Sequence, residues 1–416
     1  MNFVKDCKSW DDTDMRHGND NEAKNYKELV EMVGWYVRNA LLGEVYATPK
    51  PGLVDRRDTG AHKDMTFETF LASTEAITPY LVEMFRQGLD HQCYEKSDPG
   101  FFGNPDDIKT KTHSGLVDSG AEIITDEELV FLNIRKTGIE AEKAMYAATG
   151  NVNTHKGMIF TMGILLAAAG INAGRRLFHE PCDNETEPDE RSFFGKDKTV
   201  RDEETGTDKI VRGDESDIVK RLFDIVEILE TGRRMSARIL ERDFEEMEKR
   251  EPRSHGEKLY HKYGEKGIRG QAMEGFPIIR DIGIPAMRKF MNISGDMKLR
   301  SEIAGVATLR TDLLEDEGNM RDEHYENAVN ISTLMAIMSE LRDTNVLTRS
   351  SYEEMKWLRS ESAKIVRLGA AFSEEGLSAI EELNVKCIEK NISPGGAADI
   401  LAVTILLLKL EGSSYV

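Results

Sequence analysis

Apolar residues recur along most of the chain at the three- and four-residue spacing of an amphipathic helix, not in the alternation of a strand. Leu29, Met32, Val33, Tyr36, Val37, Ala40 and Leu41 set the pattern and predict a helix over residues 24–43. The same spacing predicts helices over 66–88, 126–148, 157–178, 217–249, 323–341, 375–389 and 396–411. β-branched alternation is almost absent and no internal repeat is visible. The expected fold is all-α: one large multi-helix domain over residues 24–416, behind a polar tail at 1–23.

Two stretches break the helical pattern and are expected as loop-like excursions. Residues 89–122 carry turn signals at Asp98-Pro99-Gly100 and Asn104-Pro105-Asp106. Residues 181–216 are dense in charge with few aliphatic side chains and read as an acidic flap. A solvated loop without a role accounts for both.

Composition narrows the partners. With 39% hydrophobic and 31% charged residues the chain can build a core beneath a heavily charged exterior. A formal net charge of −20 excludes nucleic acid and anionic membrane as partners of the surface as a whole. A polyphosphate could bind only in a local basic pocket, bridged by a divalent cation. Cys7, Cys93, Cys182 and Cys387 are scattered without a C-x-x-C pair, which suits a reducing compartment. Residues 1–25 lack an apolar signal core, and the apolar runs 158–169 and 400–408 are too short to span a bilayer. A cytoplasmic protein with no membrane partner is expected.

Five segments carry candidate chemistry. In the first, Glu44 to Arg56 continuing to Met65, Pro49 and Pro51 fix the backbone on either side of Lys50. Glu44, Asp55 and Asp64 place three carboxylates near one turn, a set suited to Mg²⁺; a Pro-Gly turn with surface ion pairs explains the same residues. The second, Asn153-Thr154-His155-Lys156-Gly157, opens an apolar helix where an anion could sit. It is not a Walker A loop, and an ordinary helix start is the alternative. The third, Gly267 to Pro277, is dense in glycine around Arg269 and Glu274 and is expected to be a loop. In the fourth, Asp343-Thr344-Asn345 with Arg349 ends the 323–341 helix and could bind metal, ribose and phosphate, or simply form a polar helix terminus. The fifth, Ser393-Pro394-Gly395-Gly396-Ala397-Ala398-Asp399, reads as an N-cap followed by a proline at N1. Its two glycines cost about 1 kcal/mol each against alanine, which makes sense if something packs against bare backbone.

Together, in this order, the segments resemble the triphosphoribosyl-dephospho-CoA synthase family, which makes the prosthetic-group precursor of citrate lyase or malonate decarboxylase. The resemblance runs from about Glu44 to Leu410. It implies an all-α enzyme that joins the triphosphoribosyl group of ATP to the ribose 2′-hydroxyl of 3′-dephospho-CoA and releases adenine, with a carrier-protein transferase downstream. On that reading Lys50, His155, Lys156, Arg269, Arg349, Gly395 and Gly396 bind the triphosphate of ATP. Asp55, Asp343 and Asp399 hold Mg²⁺, and Asp64 or Glu274 is the general base. Two positions depart from the family pattern: Gln271 stands where glutamate is usual, and Ser350-Ser351 replaces a glycine pair. Two other functions fit the same pocket: a nucleotide N-glycosidase using water as acceptor, and a nucleotide-binding regulator without turnover.

Overall fold

The computed structural model describes residues 20–94, 124–178, 198–201, 208–211, 220–293 and 317–413. Helix α1 spans Asp20–Tyr46, α2 Phe67–Tyr94, α3 Asp126–Ala148 and α4 Lys156–Phe178. Next come α5 (Ile225–Glu248), α6 (His255–Tyr263), α7 (Gly267–Met273), a π-helical turn at Ile278–Gly283, and α8 (Ile284–Ile293). After these, α9 (Glu317–Glu340), α10 (Thr344–Arg349), α11 (Tyr352–Arg367), α12 (Glu374–Glu389) and α13 (Gly395–Leu410) complete the helical body.

The apolar stripes behave as their spacing requires. On α1, Leu29, Val33, Val37, Ala40 and Leu41 are at most 1% exposed, while Met32 and Tyr36 pack on the margin of the same core. Helices α4 and α13 are apolar on all sides and lie inside, flanked by α2, α3, α5 and α9. Residues 156–177 are long and apolar enough to cross a membrane, but most of that stretch is buried within the fold. The broadest helix contact joins α2 to α4. There Gly88 meets the Ala167 carbonyl and Gly170 meets that of Phe85, so closely that a Cβ would come within 2.0 and 2.1 Å.

Several boundaries depart from expectation. Helix α1 takes in residues 20–23 of the predicted tail, and α2 runs through 89–94, the start of the first excursion. The rest of that excursion, 95–122, lies outside the described residues. Within 181–216 the described part is a two-stranded antiparallel ribbon, β1 (Lys198–Arg201) against β2 (Asp208–Val211), registered Thr199 to Ile210 and Val200 to Lys209. Its β-branched residues favour strands, in runs too short to show a period. The glycine-rich third segment is helical from Gly267 to Met273, against the loop expectation. Residues 344–349, read as a helix end, form the separate helix α10.

Candidate functional site

The loop leaving α1 is organised by its own acids. Lys50 is 2% exposed and points inward, its Nζ donating to Glu44 Oε1 at 2.5 Å and to the Glu44 carbonyl at 2.9 Å. Asp55 folds the next turn: Oδ2 accepts the Lys50 N–H at 2.9 Å, and Oδ1 accepts those of Arg57 and Asp58 at 2.7 and 3.1 Å. Gly52, with φ at +72°, lies so near Ile392 that a Cβ would sit 2.2 Å from its carbonyl oxygen. Asn384 Oδ1, on α12, accepts the Gly52 N–H at 2.9 Å, so the loop docks on both α12 and the segment that leads into α13.

The far end of the loop meets α10. Arg349 donates from Nη2 to the Ala61 carbonyl at 2.7 Å and from Nη1 toward His62 Nδ1 at 3.2 Å. A guanidinium can only donate. Nδ1 is therefore the acceptor, and Nε2 donates to Ser393 Oγ at 2.7 Å. Burial, then the Arg349 charge, pushes His62 down to about 4, so its ring is neutral at pH 7. Ser393, expected as an N-cap, is held by this contact. The cap position itself is Pro394, which offers no side-chain acceptor.

Asp343 supplies the missing cap from another element. Its Oδ1 accepts the Asn345 N–H at 2.8 Å at the start of α10, and its Oδ2 accepts the Ala397 N–H at 3.0 Å in the first turn of α13. One buried carboxylate thus ties two helix N-termini together. Burial raises Asp343 to about 6 against the opposing pull of those backbone bonds. The Gly395-Gly396 pair is now explained: a Cβ on Gly396 would lie 3.0 Å from both Asp343 oxygens, and one on Gly395 2.9 Å from Asn345 Nδ2.

Asp399 lies one turn further into α13, with Oδ2 against the first turn of α4, where a Cβ on Gly157 would be 2.2 Å away. It keeps partial exposure and has no hydrogen-bond donor among the described residues. Burial, then the charges of Glu44 and Asp343, hold its carboxyl well above the usual range. Across from it, His155 is 1% exposed; its Nδ1 is 2.6 Å from Ser73 Oγ on α2. Burial, then the charge of Lys50, pushes His155 down to about 3.

Segments drawn from nearly the whole chain therefore converge where the loop 47–65 meets α10 and the starts of α4 and α13. The third segment borders them, since Gly267 at the start of α7 packs on Thr344. Arg269, half-buried on α7, has no ion-pair or hydrogen-bond partner among the described residues. Lys156, at the mouth of α4, is exposed and pairs with Glu142 at 2.7 Å. Asp64 is largely exposed, 3.8 Å from His62 Nδ1. Glu274 is exposed at the end of α7, and no bond joins it to the cluster. Among the described residues no three His, Cys, Asp or Glu side chains gather as a metal-ligand set.

Both departures from the family pattern have structural roles. Gln271 Oε1 accepts the Ile278 N–H at 3.0 Å, a bond that a glutamate oxygen would accept equally. Ser351 caps α11 through the Glu354 N–H, and Ser350 closes α10.

Buried acids and neutral imidazoles thus gather at one junction of a helical fold, with Lys156 and Arg269 on the neighbouring helices α4 and α7. The profile of the ATP:dephospho-CoA triphosphoribosyl transferase family matches residues 31–311 and 301–415, and the chain belongs to that family. It is a transferase that takes the triphosphoribosyl group from ATP to dephospho-CoA. The chain is similar to a probable 2-(5''-triphosphoribosyl)-3'-dephosphocoenzyme-A synthase of Streptococcus equi subsp. equi, 29% identical over 92% of this chain and 98% of the relative. It also resembles proteins of the same name in Malonomonas rubra, 26% identical over 92% of this chain and 89% of the relative, and in Vibrio cholerae, 28% identical over the same shares. No solved structure matches the chain.

Proposed function

We propose that the convergence around Asp399, His155 and Glu44 is the place where adenine leaves ATP and the ribose 2′-hydroxyl of 3′-dephospho-CoA attacks the same C1 carbon. The observation that carries this reading is the union of five separate segments at one junction of helix starts. Substitution at that carbon passes through an oxocarbenium-like state, which buried carboxylates stabilise by charge. Arg269, Lys156 and Arg349, whose buried Nε has no partner, hold the triphosphate together with His155. Lys50 acts at one remove: its ammonium is spent on Glu44 within the core. Asp64, beside His62 and hence beside Ser393, accepts the hydroxyl proton more readily than Glu274, which no bond links to the junction.

Mg²⁺ fits this site in part. Asp399 has oxygens free of hydrogen bonds, whereas Asp55 and Asp343 would have to release backbone amides to serve as ligands. Mg²⁺ takes few protein carboxylates and completes its shell from phosphate and water, so one open carboxylate suffices. Bound there, it would neutralise the triphosphate in a chain of net charge −20. The cytoplasm, where ATP and dephospho-CoA are at hand, is the compartment this reading requires, and a carrier-protein transferase would consume the product.

The test is to incubate the protein with ATP, Mg²⁺ and 3′-dephospho-CoA and follow adenine and the product mass. Adenine appearing with consumption of dephospho-CoA supports the proposal. Adenine without it assigns water as the acceptor, and ATP binding without adenine assigns a regulator. ATP should also raise the melting temperature more with Mg²⁺ than with EDTA. Equal shifts would remove the metal from the site.

A further inference from the structure

The proposed site uses His155 as a group facing ATP, and the hydroxyls behind the ring decide what it can offer there. Thr154 Oγ1 donates to Ser73 Oγ at 2.7 Å. A hydroxyl has one hydrogen, and among the described residues that of Ser73 has no acceptor but His155 Nδ1, 2.6 Å away. Nδ1 accepts, so the ring proton of a neutral imidazole resides on Nε2. Nε2 is buried and has no hydrogen-bond partner among the described residues.

The ring cannot swing away to find one. Its backbone N–H is bound to Met145 Sδ at 3.2 Å, and Phe70 stands perpendicular to it at 5.1 Å between ring centres. Leaving a buried donor unsatisfied costs about 1–3 kcal/mol, and such groups call for an explanation. Lys50 lies close enough to oppose a second proton on the ring, and α4 begins at the next residue with its positive dipole end. A neutral N–H donor in that place suits an oxygen anion.

We infer that Ser73, backed by Thr154, is a positioning residue that locks His155 as the Nε2–H tautomer, so that the ring donates a hydrogen bond to a phosphate oxygen of bound ATP. This rests on the proposed function for the identity of the ligand but not for the tautomer. Neither Ser73 nor its α2 neighbours belong to the five segments.

Two-bond ¹H–¹⁵N correlation spectra of the full chain with ¹⁵N-imidazole histidine test it at pH 7, with His155 assigned by its loss in His155→Gln. The expected spectrum is the Nε2–H pattern, shifted by ATP and by inorganic triphosphate with Mg²⁺ but not by adenosine. Ser73→Ala should give a mixed-tautomer pattern and lower kcat for adenine release at least about tenfold, with a smaller change in KM for ATP. His155→Gln, whose amide nitrogen reaches the place of Nε2, should keep more turnover than His155→Asn, whose amide reaches only that of Nδ1. An Nδ1–H pattern in the unaltered protein overturns the inference. So does a shift by adenosine and not by triphosphate, or wild-type tautomer and kcat in Ser73→Ala. If Ser73→Ala does not fold, the unaltered protein's spectrum with triphosphate decides. If the unaltered protein releases no adenine, the proposed function fails while the spectrum still settles the tautomer.

Discussion

Replacing Gly88 with alanine sets two opposed effects against each other at the α2–α4 contact. In a helix interior the change favours folding by about 1 kcal/mol, because glycine loses the more backbone freedom. Against this, the new Cβ would stand 2.0 Å from the Ala167 carbonyl oxygen and 2.9 and 3.1 Å from its carbon and Cα. Carbon atoms settle at about 3.5 Å or more, so the helices must part by roughly 1 Å or more. The obstacle is backbone of a buried helix and cannot turn aside. Parting the helices loosens Leu81, Phe85, Leu165 and Leu166, all fully buried. Overpacking costs about 1–3 kcal/mol, and an immovable backbone obstacle puts this site at the upper end, so after the gain of about 1 kcal/mol the net change is a loss of about 2 kcal/mol. Gly163 is the control. A Cβ there meets Met84 Sδ at 2.3 Å, the flexible part of a thioether that can move, so Gly163→Ala should stay within about 1 kcal/mol of the parent. Urea unfolding followed by far-ultraviolet circular dichroism measures both. A Gly88→Ala protein as stable as the parent, or a Gly163→Ala protein that loses as much, refutes the reasoning.

Three further outcomes are expected. Gly157→Ala pushes its Cβ into Asp399 Oδ2; adenine release should fall about a hundredfold with little change in the urea midpoint, and normal turnover would detach Asp399 from the chemistry. Lys50→Met leaves Glu44 buried beside Asp399 without its cation and should destabilise by about 3–5 kcal/mol, visible as a lowered urea midpoint; an unchanged midpoint would show that the pair is dispensable. His62 has a folded-state value of about 4, below the ordinary 6.5, so between those values the unfolded chain binds the proton first. Its contribution is complete above pH 6.5 and lost as pH falls toward 4. The stability advantage of the parent over His62→Gln should therefore shrink by about 2 kcal/mol from pH 7 to pH 5, and a constant difference at both pH values would contradict it.

The long helices were legible because burial imposes a period. Helix α3 runs from Asp126 to Ala148 as its spacing predicts, and α4, α12 and α13 differ by a residue or so. Helix α7 was not legible, since Gly267 and Gly270 argue against a helix locally and only packing on α5 and against Thr344 overrides them. At the site, the glycines before Asp399 mark backbone that must stay bare. What packs there is Asp343 and Asn345 of the same chain. Lys50 shows the limit of a pattern in one dimension: a stiff frame aims a lysine but does not say whether it aims outward or into the core. Ser73 carried no signal at all, because its partner His155 is 82 residues away, just ahead of another helix.

The docking of Gly52 on Ile392 and of His62 on Ser393 has a consequence for biosynthesis. Residues translated early wait for residues translated near the end before their geometry exists. A nascent chain still on the ribosome, or one truncated before Ile392, has the bonds that Lys50 and Asp55 make within their own stretch of chain but lacks the Ile392 and Ser393 contacts that dock the loop. With the site as proposed, such a chain would carry half of it, and turnover would begin only when synthesis has passed Asp399 and the two ends of the fold have closed on each other.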